Sequence, residues 1–409
     1  MELLNVITIE DLKALLAENF SSYRLDTETI DVSVASGRFL ACDTASAELV
    51  PPFRRSTMDG YALRSADISG ASDSLPAFLM LRDEVKMGHP ADTAVGPGDA
   101  VYVPTGGMVP DGADAVVMIE YTEKLTDNEV AIYRPAAARE HVISVGDDIK
   151  KGELILKKGR KLTAADLGVL TSIGLTRVEV YRKLAVSVIS TGDEIAGPDD
   201  DIRLGQVRDI NTYTIAAAAE ELGCRVVHRQ VVGDDAQLLR ETLVQCREES
   251  DIVMLSGGSS VGVKDYSQQV IASLGEPGIL CHGIAFKPGK PTIVANSGGK
   301  PVIGLPGHPV SAMLVFSIIG SYLVRLMNCS EQPIESWVEA FLTENVNGAP
   351  GREAWQMVNL RRNGEAYEAV PVHGESGLIS LLASASGSVR IPVNTEGYSK
   401  GTAVRVYPL

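Results

Sequence analysis

Short apolar runs alternate with helical patterns between residues 183 and 327, and this alternation constrains the fold more than any other feature. The runs LAVSVIS, RVVHRQVV, DIVML, TIVAN and PVIGLP are predicted strands. The segments NTYTIAAAAEELG, DDAQLLRETLVQCREE, KDYSQQVIASLG and PVSAMLVFSIIGSYLVRLM are predicted helices, with Asn211 as the cap of the first and Gly223 at its end. Strands that alternate with helices in this way predict a doubly wound, mostly parallel sheet.

The segments on either side of this region differ from it in pattern. Gly, Pro and short β-type runs such as DAVYVP predict a β-rich domain, inserted between two parts of a linker domain. In that linker domain Thr8 and Thr163 are predicted helix caps, and GDDIKKGELILKKGRKL predicts a hairpin or an extended strand pair. Short alternating runs near the carboxyl end predict a small β-barrel. The predicted α/β multidomain chain therefore has a linker domain (1–42 and 146–182), a β-rich domain (43–145), an α/β domain (183–329) and a C-terminal β-barrel domain (330–409).

Small, polar or rigid segments follow four of the predicted strands. In a doubly wound sheet, ligands bind outside the carboxyl ends of the parallel strands, so these segments are expected to face one edge. Each segment alone is also compatible with a plain turn, and their convergence carries the prediction. The segments are Thr191-Gly192-Asp193-Glu194, Gly233-Asp234-Asp235, Ser256-Gly257-Gly258-Ser259-Ser260 and Leu305-Pro306-Gly307-His308-Pro309.

The segment SGGSS and the turn FKPGKPT suit a phosphorylated ligand. Glycines let a ligand approach the backbone, and successive N–H groups at a helix start can hold phosphate oxygens. Lys287 and Lys290 flank a Pro-Gly turn that suits a multiply charged anion, although a solvated basic loop has the same composition. Val263 follows Gly262 where a P-loop requires lysine, and no G-x-G-x-x-G follows the first strand. A conventional P-loop and a dinucleotide site are therefore excluded.

Four carboxylates, those of Asp193, Glu194, Asp234 and Asp265, are predicted near the same edge. Carboxylates repel phosphate unless a hard cation lies between them, which predicts a Mg²⁺ site with Asp265 and Asp234 as ligands. Capping of the next helix by Asp234 or Asp235 is the alternative explanation.

Charge and composition exclude several functional classes. A net charge of −16 disfavours nonspecific nucleic-acid binding, which depends on clustered Lys and Arg. No apolar run is expected to reach the about 20 residues of a membrane span, and no signal peptide is evident, which predicts a cytoplasmic protein without a membrane segment. The chain also lacks HExxH and CxxC motifs, so a zinc site is not expected.

Seven motifs occur in order along nearly the whole chain: PPFRRSTMDGYA, VPTGGMVPDGADAVV, STGDE, RDINTYTIAA, SGGSSVGVKDY, FKPGKPT and LPGHPVSA. Together they resemble the molybdopterin molybdenumtransferase family, the bacterial MoeA-type relatives of the gephyrin E-domain. The resemblance implies hydrolysis of the phosphoanhydride of adenylylated molybdopterin, insertion of molybdate, and release of AMP and molybdenum cofactor. It also implies Mg²⁺ and a homodimer in which Asp59 reaches the partner's pocket.

The resemblance assigns roles to particular positions. The implied catalytic residues are Asp59, Thr105, Glu194, Asp234 and Asp265, of which Asp265 and Asp234 would bind the metal. The implied substrate-binding residues are Ser190, Thr191, Gly192, Asp193, Ser256, Gly257, Gly258, Ser259, Ser260, Lys287, Lys290, Pro306, Gly307, His308, Pro309 and Ser311. The implied partner proteins are an upstream molybdopterin adenylyltransferase and downstream molybdoenzyme chaperones.

The chain departs from the family's usual pattern at three positions. Ser259 replaces a valine, Val263 replaces an acidic residue, and His308 stands where asparagine is common. These changes leave the metal affinity and the choice between molybdate and tungstate open. The competing hypotheses are a non-catalytic molybdopterin-binding or scaffold protein, a tungstate-preferring homologue, and an enzyme that only adenylylates molybdopterin.

Overall fold

A six-stranded sheet forms the core of the α/β region, in a computed structural model that describes residues 6–257, 266–332 and 335–408. The strands lie in the order Arg225–Val232, Ala185–Thr191, Ile252–Ser256, Lys300–Leu305, Ile293–Ser297 and Pro277–His282. The first four strands run parallel to one another, and the last two pair antiparallel. The predicted mostly parallel sheet is confirmed, and it ends in an antiparallel edge.

Helices cover both faces of this sheet. Side chains alternate along each strand, so Val186 and Val188 pack into one apolar core while Ile189 packs into the other. The first layer contains the helices Asn211–Glu221 and Pro309–Met327, and the second contains Ala236–Glu249 and Tyr266–Ala272. The doubly wound arrangement follows from this two-sided burial.

The helix Pro309–Met327 is the core helix of the first layer. It begins with a proline at its first position and passes through a π-helical turn at Phe316–Gly320. Its 19 residues are long and apolar enough to cross a membrane, which corrects the expectation that no run reaches that length. Inside the protein 61% of its apolar window is buried, as befits a helix that packs on a sheet.

The linker unit is built from strands of two distant parts of the chain. Thr27–Asp31 pairs with Arg177–Tyr181, and Thr44–Ala45 pairs with Leu154–Leu156. The predicted hairpin is wrong, because Leu154–Leu156 pairs with a strand far earlier in the chain instead of within its own segment. Thr163 caps the helix Ala164–Ser172 as predicted, and together with Asp166 it forms a capping box.

The amino-terminal helix Ile9–Phe20 packs against the first layer of the α/β region. Thr8 caps it as predicted, because its hydroxyl oxygen accepts a hydrogen bond from the backbone N–H of Asp11. Its buried side chains, including Leu12 and Leu16, belong to the same apolar core as the strands and the long helix.

A buried carboxylate joins the linker unit to the central sheet. Asp251 precedes the strand Ile252–Ser256 and accepts hydrogen bonds from Tyr23, Arg182 and the backbone N–H of Ala185. Two Arg182 nitrogens lie 2.6 and 2.8 Å from its oxygens. Burial opposes ionisation, but the hydrogen bonds from Arg182 and Tyr23 outweigh it and hold the pKa of Asp251 below its usual range.

The β-rich region has a six-stranded sheet and an apolar core of its own. Its strands lie in the order Ala115–Met118, Gly60–Leu63, Asp99–Val103, Ala77–Glu84, Glu129–Ile132 and Thr122–Thr126. Arg55–Ser56 and Val142–Ile143 pair beside it.

The C-terminal strands close into a small barrel. They are Val338–Leu342, Glu353–Asn363, Ala366–Pro371, Gly387–Ile391 and Ala403–Pro408. Glu353–Asn363 pairs with both Ala366–Pro371 and Gly387–Ile391, which closes the sheet, and Phe286–Lys287 adds to it from the α/β region. The remaining short elements are the strands Ile195–Ala196, Val207–Arg208, Val346–Asn347 and Gly397–Tyr398, the helix Ser380–Ser384, and the 3₁₀ turns Val32–Val34, Ser65–Ile68 and Ile119–Tyr121.

Candidate functional site

The ends of the four parallel strands meet at one edge of the central sheet. In the strand register Ser190 lies opposite Ser256, and Ser256 lies opposite Leu305. On the other side Thr191 lies opposite Val232. The segments that follow these residues therefore share one rim, as the sequence predicted.

The turn from Lys287 to Lys290 lies at the same rim. The strand that follows it runs antiparallel, with Ile293 opposite Gly304, so the turn precedes the strand at the edge where the parallel strands end. Both lysines are exposed. Gly289 has a φ of 140°, and a Cβ there would lie 2.6 Å from a methyl carbon of Val315, so the turn packs tightly against the long helix.

Two adjacent carboxylates on the second rim segment have different roles. Asp235 caps the helix Ala236–Glu249, accepting hydrogen bonds from two of its first backbone N–H groups at 2.8 and 2.9 Å. Asp234 donates its own backbone N–H to an oxygen of Asp193 at 2.9 Å. No described residue donates to the exposed Asp234 carboxylate, so the capping explanation holds for Asp235 and leaves Asp234 free for a ligand.

A buried asparagine ties two rim segments together. Asn211 donates from Nδ2 to the Ser256 hydroxyl and to the carbonyl of Gly307, both at 2.7 Å. The Ser256 hydroxyl is 3.3 Å from the carbonyl of Pro306, to which it donates. The Asn211 Oδ1 atom has no hydrogen-bond partner among the described residues although Asn211 is 8% exposed. Within the described part of the chain, the site thus contains an acceptor without a donor.

Sequence reasoning missed this role of Asn211. It predicted a helix cap, but Asn211 is the first helical residue and its side chain turns to the rim instead. Asp209 takes over the capping, accepting from the backbone N–H and hydroxyl of Thr212, and it also accepts from Ser190 at 3.2 Å. The spacing of Asp209 and Thr212 is the signal that would have identified the cap.

The first glycine of the segment SGGSS is held close to a neighbouring strand. Gly257 has a φ of 101°, and a Cβ there would lie 2.4 Å from the carbonyl oxygen of Thr191. Only glycine meets both conditions without strain. The other predicted residues of this segment, Gly258, Ser259, Ser260 and Asp265, lie outside the described residues.

The last rim segment leads into the long helix and contacts the barrel. His308 precedes the helix that begins at Pro309, and its Nδ1 atom lies 2.8 Å from the Ser376 hydroxyl. The backbone N–H of Val310 donates to the carbonyl of Ser376 at 3.1 Å. Ser311 is buried in the first helical turn. A loop of the C-terminal region therefore borders the rim.

Asp59 and Thr105 come together in the β-rich region. One Asp59 oxygen accepts from the Thr105 backbone N–H at 2.6 Å and from its hydroxyl at 3.0 Å. These hydrogen bonds, the backbone one first, lower the pKa of Asp59. Nearby, Arg54 donates to the carbonyls of Ala113 and Pro110, so this arginine of PPFRRS holds a loop. Within the residues described, no hydrogen bond or ion pair joins Asp59 to the rim.

The rim combines cations, carboxylates and backbone groups that suit an anionic ligand with a bound hard cation. Lys287 and Lys290 supply positive charge, while Glu194 and Asp234 supply exposed carboxylates. In the described parts of the chain, no group of three His, Cys, Asp or Glu residues is placed to hold a metal ion. A cation here would therefore depend on the ligand's own oxygens or on residue 265 as well.

Family models match three successive parts of the chain. The MoeA N-terminal region (domain I and II) matches residues 7–174, a probable molybdopterin binding domain matches residues 187–325, and the MoeA C-terminal region (domain IV) matches residues 339–409.

Similar proteins span nearly the whole length. Molybdopterin molybdenumtransferase 2 of Mycobacterium tuberculosis is 31% identical, over 93% of this chain and 95% of its own. A putative molybdopterin biosynthesis protein of Methanocaldococcus jannaschii is 30% identical, over 99% and 98% of the two chains. The crystal structure of the molybdopterin biosynthesis MoeA protein from Pyrococcus horikoshii matches with a TM-score of 0.85 and 28% identity, covering 99% of this chain and 100% of that one.

Proposed function

This chain belongs to the MoeA family of molybdopterin molybdenumtransferases, enzymes of molybdenum cofactor biosynthesis, and we propose that its rim acts on adenylylated molybdopterin. In the proposed reaction the phosphoanhydride is hydrolysed, and the two dithiolene sulfurs bind molybdenum while one molybdate oxygen leaves as water with the two thiol protons. AMP and molybdenum cofactor are then released.

The observation that carries this proposal is the buried Asn211 Oδ1 atom at the meeting point of the parallel strands, which has no hydrogen-bond partner among the described residues. A buried amide oxygen without a donor costs free energy, so such an atom is retained where a ligand supplies the donor. The lysine turn at the same edge would neutralise the phosphate and molybdate oxygens of that ligand.

The hydrolysis needs no protein nucleophile. Water attacks one phosphorus atom of the anhydride, the bond to the AMP oxygen breaks, and molybdopterin keeps a phosphate monoester while one proton is lost to solvent. Negative charge develops on the departing AMP, and the Lys287 and Lys290 ammonium groups would stabilise it electrostatically. Because both lysines extend from one tightly packed turn, their backbone positions need not change during the reaction.

We propose Mg²⁺ as the resident cation, with Asp234 and Asp265 as its protein ligands. The free Asp234 carboxylate fits this assignment, because hard cations prefer carboxylate oxygens. When bound, Mg²⁺ would supply charge neutralisation between these carboxylates and the phosphates. Glu194 lies on the first rim segment and would orient water or a second ligand oxygen.

A homodimer would complete the site. Asp59 and Thr105 form a hydrogen-bonded pair that no described contact ties to the rim of their own chain. We propose that this pair reaches the rim of a second copy, in the cytoplasm. An upstream molybdopterin adenylyltransferase would deliver the substrate, and molybdoenzyme chaperones would accept the product.

The experiment measures molybdenum cofactor and AMP from adenylylated molybdopterin, molybdate and Mg²⁺. Asp59→Ala and Asp265→Ala should abolish both products while gel filtration shows an unchanged dimer, and Asp127→Ala, whose side chain is fully exposed, should react normally. Full product formation by both site variants would refute the assigned site.

The same assay separates the alternatives. A scaffold protein would bind molybdopterin without releasing AMP. An enzyme that only adenylylates would make adenylylated molybdopterin from ATP and would not insert molybdenum. Replacing molybdate with tungstate at equal concentration tests the choice of anion.

A further inference from the structure

A polar cavity of about 460 Å³ lies where the linker unit meets the far end of the helix Pro309–Met327. Arg325 stands 16 residues after Pro309, which places it about 24 Å along the helix from the rim. The lining contains five cationic side chains and one carboxylate: Lys157, Lys158, Arg160, Lys161, Arg325 and Glu331. This cavity is therefore distinct from the site described above.

The concentration of positive charge is unusual in a chain whose net charge is −16. Arg160 is paired with Asp166 at 2.9 Å. The other four cations have no carboxylate oxygen within 4 Å among the residues that the structure describes. Much of the positive charge in the cavity is thus left without a counter-ion, and the single Glu331 carboxylate is exposed.

Arg325 is the most informative of these side chains. It is half-buried, and no described residue accepts a hydrogen bond from its guanidinium group. Burial lowers its pKa. Burial, and then the charge of Arg325, also lower the pKa of Lys161. Desolvated cations that repel each other destabilise the protein unless an anion joins them.

The walls of the cavity are held in place by close contacts. Gly159 has a φ of 82°, and a Cβ there would lie 2.0 Å from the Cys329 carbonyl oxygen, so the basic turn is pressed against the chain that follows the helix. The Lys158 ammonium lies 5.7 Å from the centre of the Tyr181 ring. Lys161 is 3.4 Å from the carbonyl oxygens of Glu221 and Leu222.

We propose that this cavity binds a phosphate-bearing anion, held by Arg325, Lys161 and Lys157. The planar guanidinium would donate two parallel hydrogen bonds to phosphate oxygens, and the two ammonium groups would add charge. A partly open cavity of about 460 Å³ with a half-buried guanidinium suits a compact phosphate better than an extended acidic peptide. Because its ligands come from the linker turn and from the helix end, the anion would bind these two units together.

The test is isothermal titration calorimetry of the full-length chain with inorganic phosphate, pyrophosphate and a hexaglutamate peptide at constant ionic strength. A Lys287→Gln/Lys290→Gln background removes anion binding at the rim. We expect one phosphate-type site per chain to remain in this background. Pyrophosphate binding stronger than phosphate binding would indicate a larger phosphorylated ligand, and equal binding would indicate free phosphate.

Two variants and a matched control identify the residues. Arg325→Gln should weaken phosphate binding roughly tenfold, the loss expected for one charge-assisted interaction. Lys157→Gln changes an exposed side chain and should weaken phosphate binding severalfold. Its circular dichroism spectrum should match that of the parent, because the fold is intact. Lys150→Gln alters the other Lys-Lys-Gly turn of the chain and should have no effect.

Three results would overturn the proposal. The first is unchanged phosphate affinity in both Lys157→Gln and Arg325→Gln. The second is loss of all phosphate binding in the Lys287→Gln/Lys290→Gln background, which would place the anion at the rim. The third is binding of hexaglutamate alone, which would make the cavity a peptide site.

Discussion

Replacement of Asn211 tests whether the rim depends on a single buried amide. In Asn211→Ala the two hydrogen bonds from Nδ2, each 2.7 Å long, are lost. Each is worth about 1 kcal/mol, and the Gly307 carbonyl is left without this donor, so the free energy of unfolding should fall by about 2 kcal/mol. The Ser256 hydroxyl still donates to the Pro306 carbonyl, which limits the loss.

The effect on activity follows from the same contacts. Asn211 fixes the end of one strand relative to the loop that follows the next, and both border the proposed substrate. If the lost 2 kcal/mol falls on the substrate-bound transition state, kcat/KM for cofactor formation should fall about thirtyfold. Urea unfolding and the cofactor assay measure the two quantities separately.

An isosteric variant adds a pH dependence. Asn211→Asp places an unpaired carboxylate at an 8% exposed position beside carbonyl and hydroxyl oxygens, which raises its folded pKa above the unfolded value of about 3.9. A carboxyl group whose pKa is raised on folding destabilises the protein at pH values above that pKa. The stability of Asn211→Asp should therefore rise relative to that of Asn211→Ala as the pH falls. Asn394→Ala, at an exposed site, serves as the control. Parent-like stability and activity in both Asn211 variants would refute the reasoning.

Three further predictions concern stability and the metal. Asp251→Ala removes the buried partner of Arg182 and should lower the free energy of unfolding by about 3–5 kcal/mol. In the parent, the lowered pKa of Asp251 contributes stability that is present above about pH 4 and is lost on further acidification. A free energy of unfolding by urea that stays constant below about pH 4 would contradict this. Asp235→Ala removes the helix cap and should lower the free energy of unfolding by about 1 kcal/mol, while Mg²⁺ binding is retained. Asp234→Ala should weaken Mg²⁺ binding, measured by calorimetry, and leave the stability unchanged. The reverse pattern would exchange the roles of the two residues. Gly257→Ala should cost more in thermal unfolding than Gly298→Ala, since both have positive φ but only the first meets a backbone oxygen; equal losses would show that the contact relaxes.

The architecture of the central sheet was predictable because the apolar runs in the sequence and the rule for parallel strands lead to the same sheet. Apolar runs such as that ending at Thr191 mark strands buried on both faces, and parallel strands must end at one edge. The edge strand Pro277–His282 was not predicted, because its Pro, Gly and His residues give no strand pattern. Its pairing is imposed by its neighbour Ile293–Ser297 rather than by its own sequence.

Non-local pairings and side-chain directions were beyond the sequence argument. Leu154–Leu156 has a good strand pattern, but nothing within the segment indicates that its partner is Thr44–Ala45. Asn211 has the composition of a cap, and only the position of Ser256 and Gly307 in space shows that its amide faces the rim. The roles of Asp59 and Thr105 were implied by resemblance, but neither resemblance nor spacing predicted the contact between them.

The packing of the helix Ile9–Phe20 has a consequence for the order in which the protein assembles during synthesis. Its apolar side belongs to a core whose other members, such as Phe286 and Leu323, are translated in the second half of the chain. At elongation rates of about 5–20 residues per second the ribosome needs on the order of tens of seconds to supply them. Throughout that interval the nascent helix has an uncovered apolar side, so the newly made chain is most prone to aggregate just before the long helix emerges.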